Sequence, residues 1–420
     1  MNEAPAKTVV FEDIIEARAR IAGAVYYSPC PHSVPLSEVT GADIYCKLDY
    51  LQRTGSFKER GARNALMQLT PEQRVLGVVA ASAGNHALGL AYHGQLLGIT
   101  VNVVMPKFAP LVKVSTCRRL GANVILFGDD FTQARDKAME MSRTEGKTYV
   151  PGFDDAAIVA GQGTMGLEIL EQVPDVDAIV VPIGGAGLIA GIALAVKTLR
   201  PEVRIIGVEP VNSPSFAAAM AAGHTVAVPS KATVADGLAV PELGALPFEI
   251  ARHLVDEVVS VTEDELALAI LRLAELEKAV VEGAGSAPLA ACLAQKIPWI
   301  LGKKVVLTLC GGNIDPSVLC RVIEKGLVAD GRLCRFTASI SDKPGGLSEF
   351  TALVASSGAS VKEITHERAF AGGDVSAVQV LCVVETQDRE HIRRLYNLLR
   401  EKGVVFYQPR LEQDSSTCGE

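Results

Sequence analysis

Four short segments of the 420-residue chain carry residue types and spacings suited to chemistry. Ile183-Gly184-Gly185-Ala186-Gly187-Leu188 follows an apolar run and opens a stretch of helical period. A glycine turn at a helix start aims backbone N–H groups and the positive end of the helix dipole at one point, which suits a phosphate. The cradle does not say which phosphate. Gly185-Ala186-Gly187-Leu188-Ile189-Ala190 also fits the Ala-ended dinucleotide fingerprint, with Glu209 at the end of the next strand where a ribose-binding acid falls. A nicotinamide-dependent oxidoreductase is therefore open on these residues, as is plain close packing of helix on strand.

The second segment, Ser82-Ala83-Gly84-Asn85-His86-Ala87, follows an apolar run that ends at Ala81, the position where open α/β sheets bind ligands. Ser82 and Asn85 offer hydrogen bonds there, and His86 offers either a hydrogen bond or a cap. The third is Ser56-Phe57-Lys58-Glu59-Arg60-Gly61-Ala62, in which Lys58, taken alone, reads as a solvated helix face. The fourth is Cys310-Gly311-Gly312-Asn313, in which a lone cysteine is ordinarily a small buried hydrophobe.

The elements that must position these segments follow from periodicity. Between residues 77 and 313, short β-branched runs that end in Gly, Ser or Pro alternate with helical stretches, the pattern of a parallel sheet. Strands are predicted over 78–81, 101–105, 124–127, 179–183, 203–208 and 305–309, each apolar on both faces as a sheet between helix layers requires. Two helix starts carry capping boxes: Thr70-Pro71-Glu72-Gln73, and Thr262-Glu263-Asp264-Glu265 ahead of the apolar-rich 266–281. The alternation stops between 326 and 335. A second unit then reads β-α-β-β-α-β: strand 334–340, the turn Asp342-Lys343-Pro344-Gly345-Gly346, helix 347–357, strands near 361–366 and 375–385, helix 389–402 and strand 404–407.

Composition excludes several classes. A formal net charge of −8, spread along the chain, gives no basic face for nucleic acid or an anionic membrane. No apolar run approaches the roughly 20 residues of a membrane helix, and no leader pattern precedes Lys7, so a cytoplasmic protein is expected. Nine scattered cysteines with no C-x-x-C pair read as reduced thiols.

These segments, with Ala160-Gly161-Gln162-Gly163-Thr164, stand in the order seen in the fold-type II pyridoxal 5'-phosphate (PLP) family. The chain resembles its threonine and serine dehydratases, and is also similar to serine racemase. The resemblance covers roughly 11–322 and implies two open parallel-sheet α/β lobes within a catalytic domain of residues 1–328, the smaller lobe (roughly 50–155) inserted. It implies Lys58 as the Schiff-base lysine and Phe57 against the cofactor ring. Asn85 partners the ring hydroxyl, and Gly184, Gly185, Ala186, Gly187 and Leu188 hold the phosphate. Cys310 is placed opposite the ring nitrogen, with Gly237 and Glu282 lining the pocket. Ser82, with the backbone of Ala83, Gly84, Asn85 and His86, receives the substrate carboxylate. Lys58 then serves as the base that removes the Cα proton of threonine, giving 2-ketobutyrate and ammonia, or of serine, giving pyruvate.

Three departures from the family bear on this. Racemases carry a second serine where this chain has Ala83, so dehydration with little racemisation is expected. Ala186 stands where many members have glycine. Glu209 matches the first ligand of a structural cation site, but Ser215 replaces the second carboxylate, which leaves a weak site for a cation.

Residues 332–411 resemble an ACT domain, a small α+β fold that pairs with copies of itself and commonly binds amino acids. This implies feedback by a branched-chain amino acid such as isoleucine or valine, and a homo-oligomer, a dimer or tetramer. A polar tail, 412–420, is expected to be disordered. Serine racemase and 3-hydroxyaspartate dehydratase stand as alternatives within the family. An NAD-dependent oxidoreductase or a non-catalytic amino-acid sensor are the alternatives outside it.

Overall fold

The computed structural model describes residues 8–368 and 376–407. The chain divides into two compact units, Met1–Leu319 and Cys320–Glu420. The division falls inside the helix Pro316–Ala329, whereas the change in sequence character comes only at the end of that helix. Glu324 in its second half pairs with Lys362, a contact internal to the second unit.

The first unit contains two parallel sheets. Its strands are β1 (Asp43–Lys47), β2 (Val78–Ala81), β3 (Val101–Met105), β4 (Asn123–Leu126), β5 (Thr148–Tyr149), β6 (Ala178–Pro182), β7 (Arg204–Pro210), β8 (Glu257–Val261) and β9 (Lys304–Thr308). The larger sheet runs β1-β9-β6-β7-β8 and the smaller β4-β3-β2-β5. Each larger-sheet strand sends alternate side chains into two separate cores, Ile179 and Val181 into one, Ala178 and Val180 into the other. The smaller sheet does the same, with Val78 and Ala80 on one face and Val79 and Ala81 on the other. Near-continuous apolar runs are what such double burial requires.

The six strands predicted from sequence are present within one or two residues. Three others, β1, β5 and β8, carried no clear signal: β1 is bounded by Asp43 and Lys47, β5 has two residues, and β8 is half-buried over most of its length. The expectation that every strand is apolar-buried on both faces fails at β4. It is an edge strand paired only with β3, and Asn123 and Leu126 are exposed. Both capping boxes form, Thr70 with Gln73 and Thr262 with Glu265. The second helix stops at Leu276 instead of running on through the apolar stretch, and Lys278 turns the chain in a left-handed conformation (φ 56°).

The helix Ala156–Gln172 lies between Lys58–Met67 and Gly187–Leu199, and its glycines set the spacing. A Cβ on Gly161 would stand 2.6 Å from the Cα of Gly61 and 2.7 Å from the Arg60 carbonyl. A Cβ on Gly163 would stand 2.9 Å from the Gly191 carbonyl. The Ala160-Gly161-Gln162-Gly163-Thr164 segment is thus a pair of backbone-to-backbone helix contacts.

In the second unit, β10 (Leu333–Ser341), β11 (Ser360–Glu367), β12 (Ala377–Glu385) and β13 (Val405–Tyr407) form one antiparallel sheet, ordered β11-β12-β10-β13. The helices Gly346–Ser356 and Arg389–Glu401 join its strands in the predicted β-α-β-β-α-β order. Strict alternation along β12 turns Val378, Val380, Cys382 and Val384 onto a core with Phe350, Val354, Leu395 and Leu399. Residue 375 of the predicted third strand and the expected tail at 412–420 lie outside the described residues.

Among the described residues no helix is long and apolar enough to cross a membrane. Because the clash at Gly161 is with main chain, Gly161→Ala is expected to destabilise the first unit by about 1–3 kcal/mol. Urea denaturation would check this, and a cost within error of zero would contradict the tight crossing.

Candidate active site

The chemistry-bearing segments lie at or near the carboxyl ends of strands. The glycine loop follows β6, Cys310 follows the adjacent β9, and Ser82 to His86 follow β2. Open parallel sheets bind ligands there because successive loops converge at that edge.

Lys58 is the first residue of the helix Lys58–Met67, and the chain around it is fixed on several sides. The Phe57 amide donates to the Cys310 carbonyl at 2.9 Å, and Ser56 forms a bridge with Gly311. Gly89 of the helix Asn85–Leu97 lies so close that a Cβ there would stand 3.2 Å from the Lys58 carbonyl. The Lys58 Nζ donates to the Gly152 carbonyl at 2.6 Å and lies 5.1 Å from the centre of the Phe57 ring. Desolvation pushes the amine down to about 8, with the Cys310 thiol and Glu282 opposing the shift.

Asn85 is held at both ends of its amide. Its Nδ2 donates to Glu282 Oε1 at 2.7 Å, and its Oδ1 accepts from Asn313 Nδ2 at 2.9 Å; Asn313 Nδ2 also reaches the Thr54 carbonyl at 2.7 Å. Burial pushes the Glu282 carboxyl up to about 7 and Asp236 adds to this, while the Asn85 bond and Lys113 work against it. Lys113 pairs with Asp236 at 3.0 Å. Burial also holds His86 down at about 3, with Lys58 adding to the shift, so the ring is neutral. Its Nε2 lies 2.9 Å from the Val150 carbonyl and must be the protonated nitrogen, which leaves buried Nδ1 without a partner among the described residues. Cys310 is buried, and its thiol is pushed well above the ordinary range by that burial.

The glycine loop fits an anion. The amides of Gly184, Gly185, Ala186, Gly187 and Leu188 have no acceptor among the described residues, since the first helical bond is Ala190 to the Ala186 carbonyl at 3.0 Å. Ala186 is left-handed (φ 69°), the conformation glycine takes freely and which costs another residue about 1 kcal/mol. A Cβ on Gly184 would come within 2.8 Å of the Gly237 carbonyl, so Gly237 lies against the loop. At the second loop, Ser82 Oγ accepts the Gly84 amide at 3.2 Å, while the Ala83, Asn85 and His86 amides have no acceptor among the described residues. A lysine amine, two sets of free amides and a polar pair at Asn85 and Glu282 are what a phosphate-bearing aldehyde cofactor and an amino-acid carboxylate require.

A family model for pyridoxal-phosphate dependent enzymes matches residues 21–311. The chain belongs to that family. It is 44% identical over 395 residues to an L-threonine ammonia-lyase of Thermotoga maritima, covering 94% of this chain and 98% of the relative. The processed form of threonine deaminase isoform 2 from Solanum lycopersicum superposes with a TM-score of 0.72 at 35% identity, over 77% of this chain and 98% of that one. Maize serine racemase gives a TM-score of 0.72 and 35% identity, over 77% and 99%.

Membership of the PLP family removes the nicotinamide reading of the glycine loop, and the geometry of Glu209 explains why its position misled. Both carboxylate oxygens are turned inward, accepting the Phe216 amide at 2.9 Å and the Ala217 amide at 3.2 Å, so this acid caps the helix Ser215–Ala222. Among the described residues no three His, Cys, Asp or Glu side chains form a metal-binding group at Glu209 or elsewhere.

Residues 150–154 carry no sequence signal of function, yet they touch three of the predicted site segments. Val150 accepts from His86, Gly152 from Lys58, the Phe153 ring covers Gly185, and Asp154 accepts the Leu246 amide at 3.1 Å. The Gly152-Phe153-Asp154 sequence has no periodicity, and its role comes from partners far away in the chain.

With Lys58 as the anchor that the resemblance implies, the rate at which cofactor-free protein takes up PLP is expected to follow the neutral fraction of that amine. It is expected to rise about tenfold per pH unit below about 8 and to level off above that. Stopped-flow absorbance would measure it; a midpoint at the ordinary lysine value of 10.5 would contradict the lowered amine.

Proposed function

We propose that the chain is an L-threonine ammonia-lyase that dehydrates and deaminates L-threonine to 2-ketobutyrate and ammonia, and acts likewise on L-serine to give pyruvate. The observation that carries this is the match over 94% of the chain to a relative of that name, with the Lys58 amine buried between the Gly152 carbonyl and the Phe57 ring. Bound PLP supplies an electron sink that acidifies the substrate Cα–H. The rest falls to the protein.

In this reading the neutral Lys58 amine removes the Cα proton, and an amine near 8 is matched to that task at physiological pH. Ser82 Oγ and the free amides of Ala83, Asn85 and His86 receive the substrate carboxylate. Neutral His86 orients the loop through Val150 without adding charge. Asn85, held by Glu282 and Asn313, would offer its remaining N–H to the cofactor hydroxyl, and Phe57 would pack on the ring. Cys310, protonated and buried, would give the ring nitrogen a neutral partner, which suits elimination. One methyl group is worth only about 1–3 kcal/mol of discrimination, so threonine and serine are both accepted.

The test is a keto-acid assay on the PLP-loaded protein with chiral analysis of residual substrate. Threonine is expected to give 2-ketobutyrate and ammonia in equal amounts. L-serine is expected to give pyruvate with little D-serine, because Ala83 has no hydroxyl to deliver a proton to the opposite face. Rapid D-serine formation would favour the racemase reading.

The second unit supports regulation: its β-α-β-β-α-β order and four-stranded sheet are those of an ACT-like fold. Isoleucine or valine is proposed as the effector, acting on a cytoplasmic homo-oligomer. The threonine saturation curve of the full chain is expected to shift with isoleucine, and truncation after Gly331 to abolish the shift. An unchanged response in the truncated protein would remove the second unit from regulation.

A further inference from the structure

Two residues beyond Lys58, on the same helical turn, lies a side chain with every donor engaged. Arg60 is fully buried and all five of its N–H donors are used. Nε and Nη2 grip Asp49 at 2.7 and 2.8 Å, Nη1 and Nη2 grip Glu168 at 2.6 and 2.8 Å, and Nη1 also reaches Thr164 Oγ1 at 3.1 Å. Asp49 is itself fixed by Ser28 at 2.5 Å and Gln52 at 3.3 Å. Lys47 completes the cluster, bonding Glu168 at 2.5 Å, Gln172 at 2.9 Å and the Ser28 carbonyl at 2.6 Å. Two cations and two carboxylates balance, so the cluster adds no net charge beside the Lys58 amine.

A cation in the first turn of a helix opposes the helix dipole, and a buried ion pair adds little net stability. What a forked guanidinium adds is geometry, because its two edges fix orientation as well as distance. Glu59, the intervening residue, turns the other way: it bonds His93 at 3.2 Å on the helix Asn85–Leu97, which packs against the smaller sheet, and also takes the Thr54 amide.

We infer that Arg60 is the positioning residue of Lys58: its double fork to Asp49 and Glu168 locks the first turn of the lysine's helix to the larger lobe, and so fixes where the amine stands for proton abstraction. The inference rests on the PLP-dependent lyase reading above. Arg60 touches neither substrate nor cofactor and acts through the helix start.

The test compares Arg60→Lys with Lys47→Gln in the full-length PLP-loaded protein. Both disturb the same buried cluster and both lower the melting temperature, but only the first removes the fork behind Lys58. Arg60→Lys is expected to lower kcat per folded chain about 100-fold, the scale of a misplacement near 1 Å, with KM within about twofold. It is also expected to weaken PLP binding and to reduce the visible circular dichroism per bound PLP, which reports the fixed pose of the cofactor. Lys47→Gln is expected to leave kcat, PLP affinity and visible dichroism as in the wild type. If both variants lose only thermal stability, the positioning role is wrong. Should Arg60→Lys not fold, Asp49→Asn, which keeps an acceptor oxygen, is expected to lower kcat in the same direction to a smaller degree, and an unchanged kcat there overturns the inference. Failure of the lyase reading is seen separately, as a wild type that does not turn over threonine.

Discussion

Two cations on one helical turn receive opposite treatment, and the site depends on that contrast. Arg60 is surrounded by carboxylates that hold its charge firmly in place. Lys58 is given one carbonyl acceptor, Gly152, and an aromatic face, while Glu282, whose charge acts on it, is engaged by Asn85. Taking an ammonium out of water costs several kcal/mol unless partners compensate, so the sparse surroundings of Lys58 bring its neutral form within reach of physiological pH. An ordinary lysine salt bridge at that position would hold the amine protonated and idle.

Keeping Lys58 sparsely partnered requires that its neighbours carry the positional information, the Arg60 fork on one side and close glycine contacts between helices on another. Gly61 against Gly161 sets the lysine's helix directly on the helix Ala156–Gln172, and Gly163 near Gly191 sets the latter on the helix that opens with the glycine loop. Lys58 and the glycine loop are thereby joined through two backbone-to-backbone crossings, which tolerate less variation than side-chain packing. The segment 150–154 then spans the assembled site, touching the lysine, the histidine and the cradle in turn.

Much of this was legible in the sequence wherever the signal was local. Doubly buried strands announce themselves as β-branched runs, capping boxes as four-residue patterns, and the glycine loop as a strand-to-helix turn. The second unit's order was readable because its strands alternate cleanly, as β12 does. Illegible features were those defined by distant partners. Arg60 and Glu168 are 108 residues apart, Lys58 and Gly152 94, and Asn313 and Asn85 228. Glu209 shows the converse: at a strand end it reads as a ribose acid or a cation ligand, and the two helix amides its carboxylate accepts, seven and eight residues on, leave no mark in the sequence. Likewise β4 has the composition of an inner strand, and its exposure follows from its place at the sheet edge.

The account stands most directly on Lys58 as the covalent anchor of PLP. Borohydride reduction of the purified PLP-loaded protein, followed by peptide mapping, measures this in one experiment. The account predicts loss of the visible absorption band and a single reduced pyridoxyl adduct, on the peptide containing Phe57-Lys58-Glu59. An adduct on another lysine, or a colourless protein with no adduct after PLP is supplied, would contradict it.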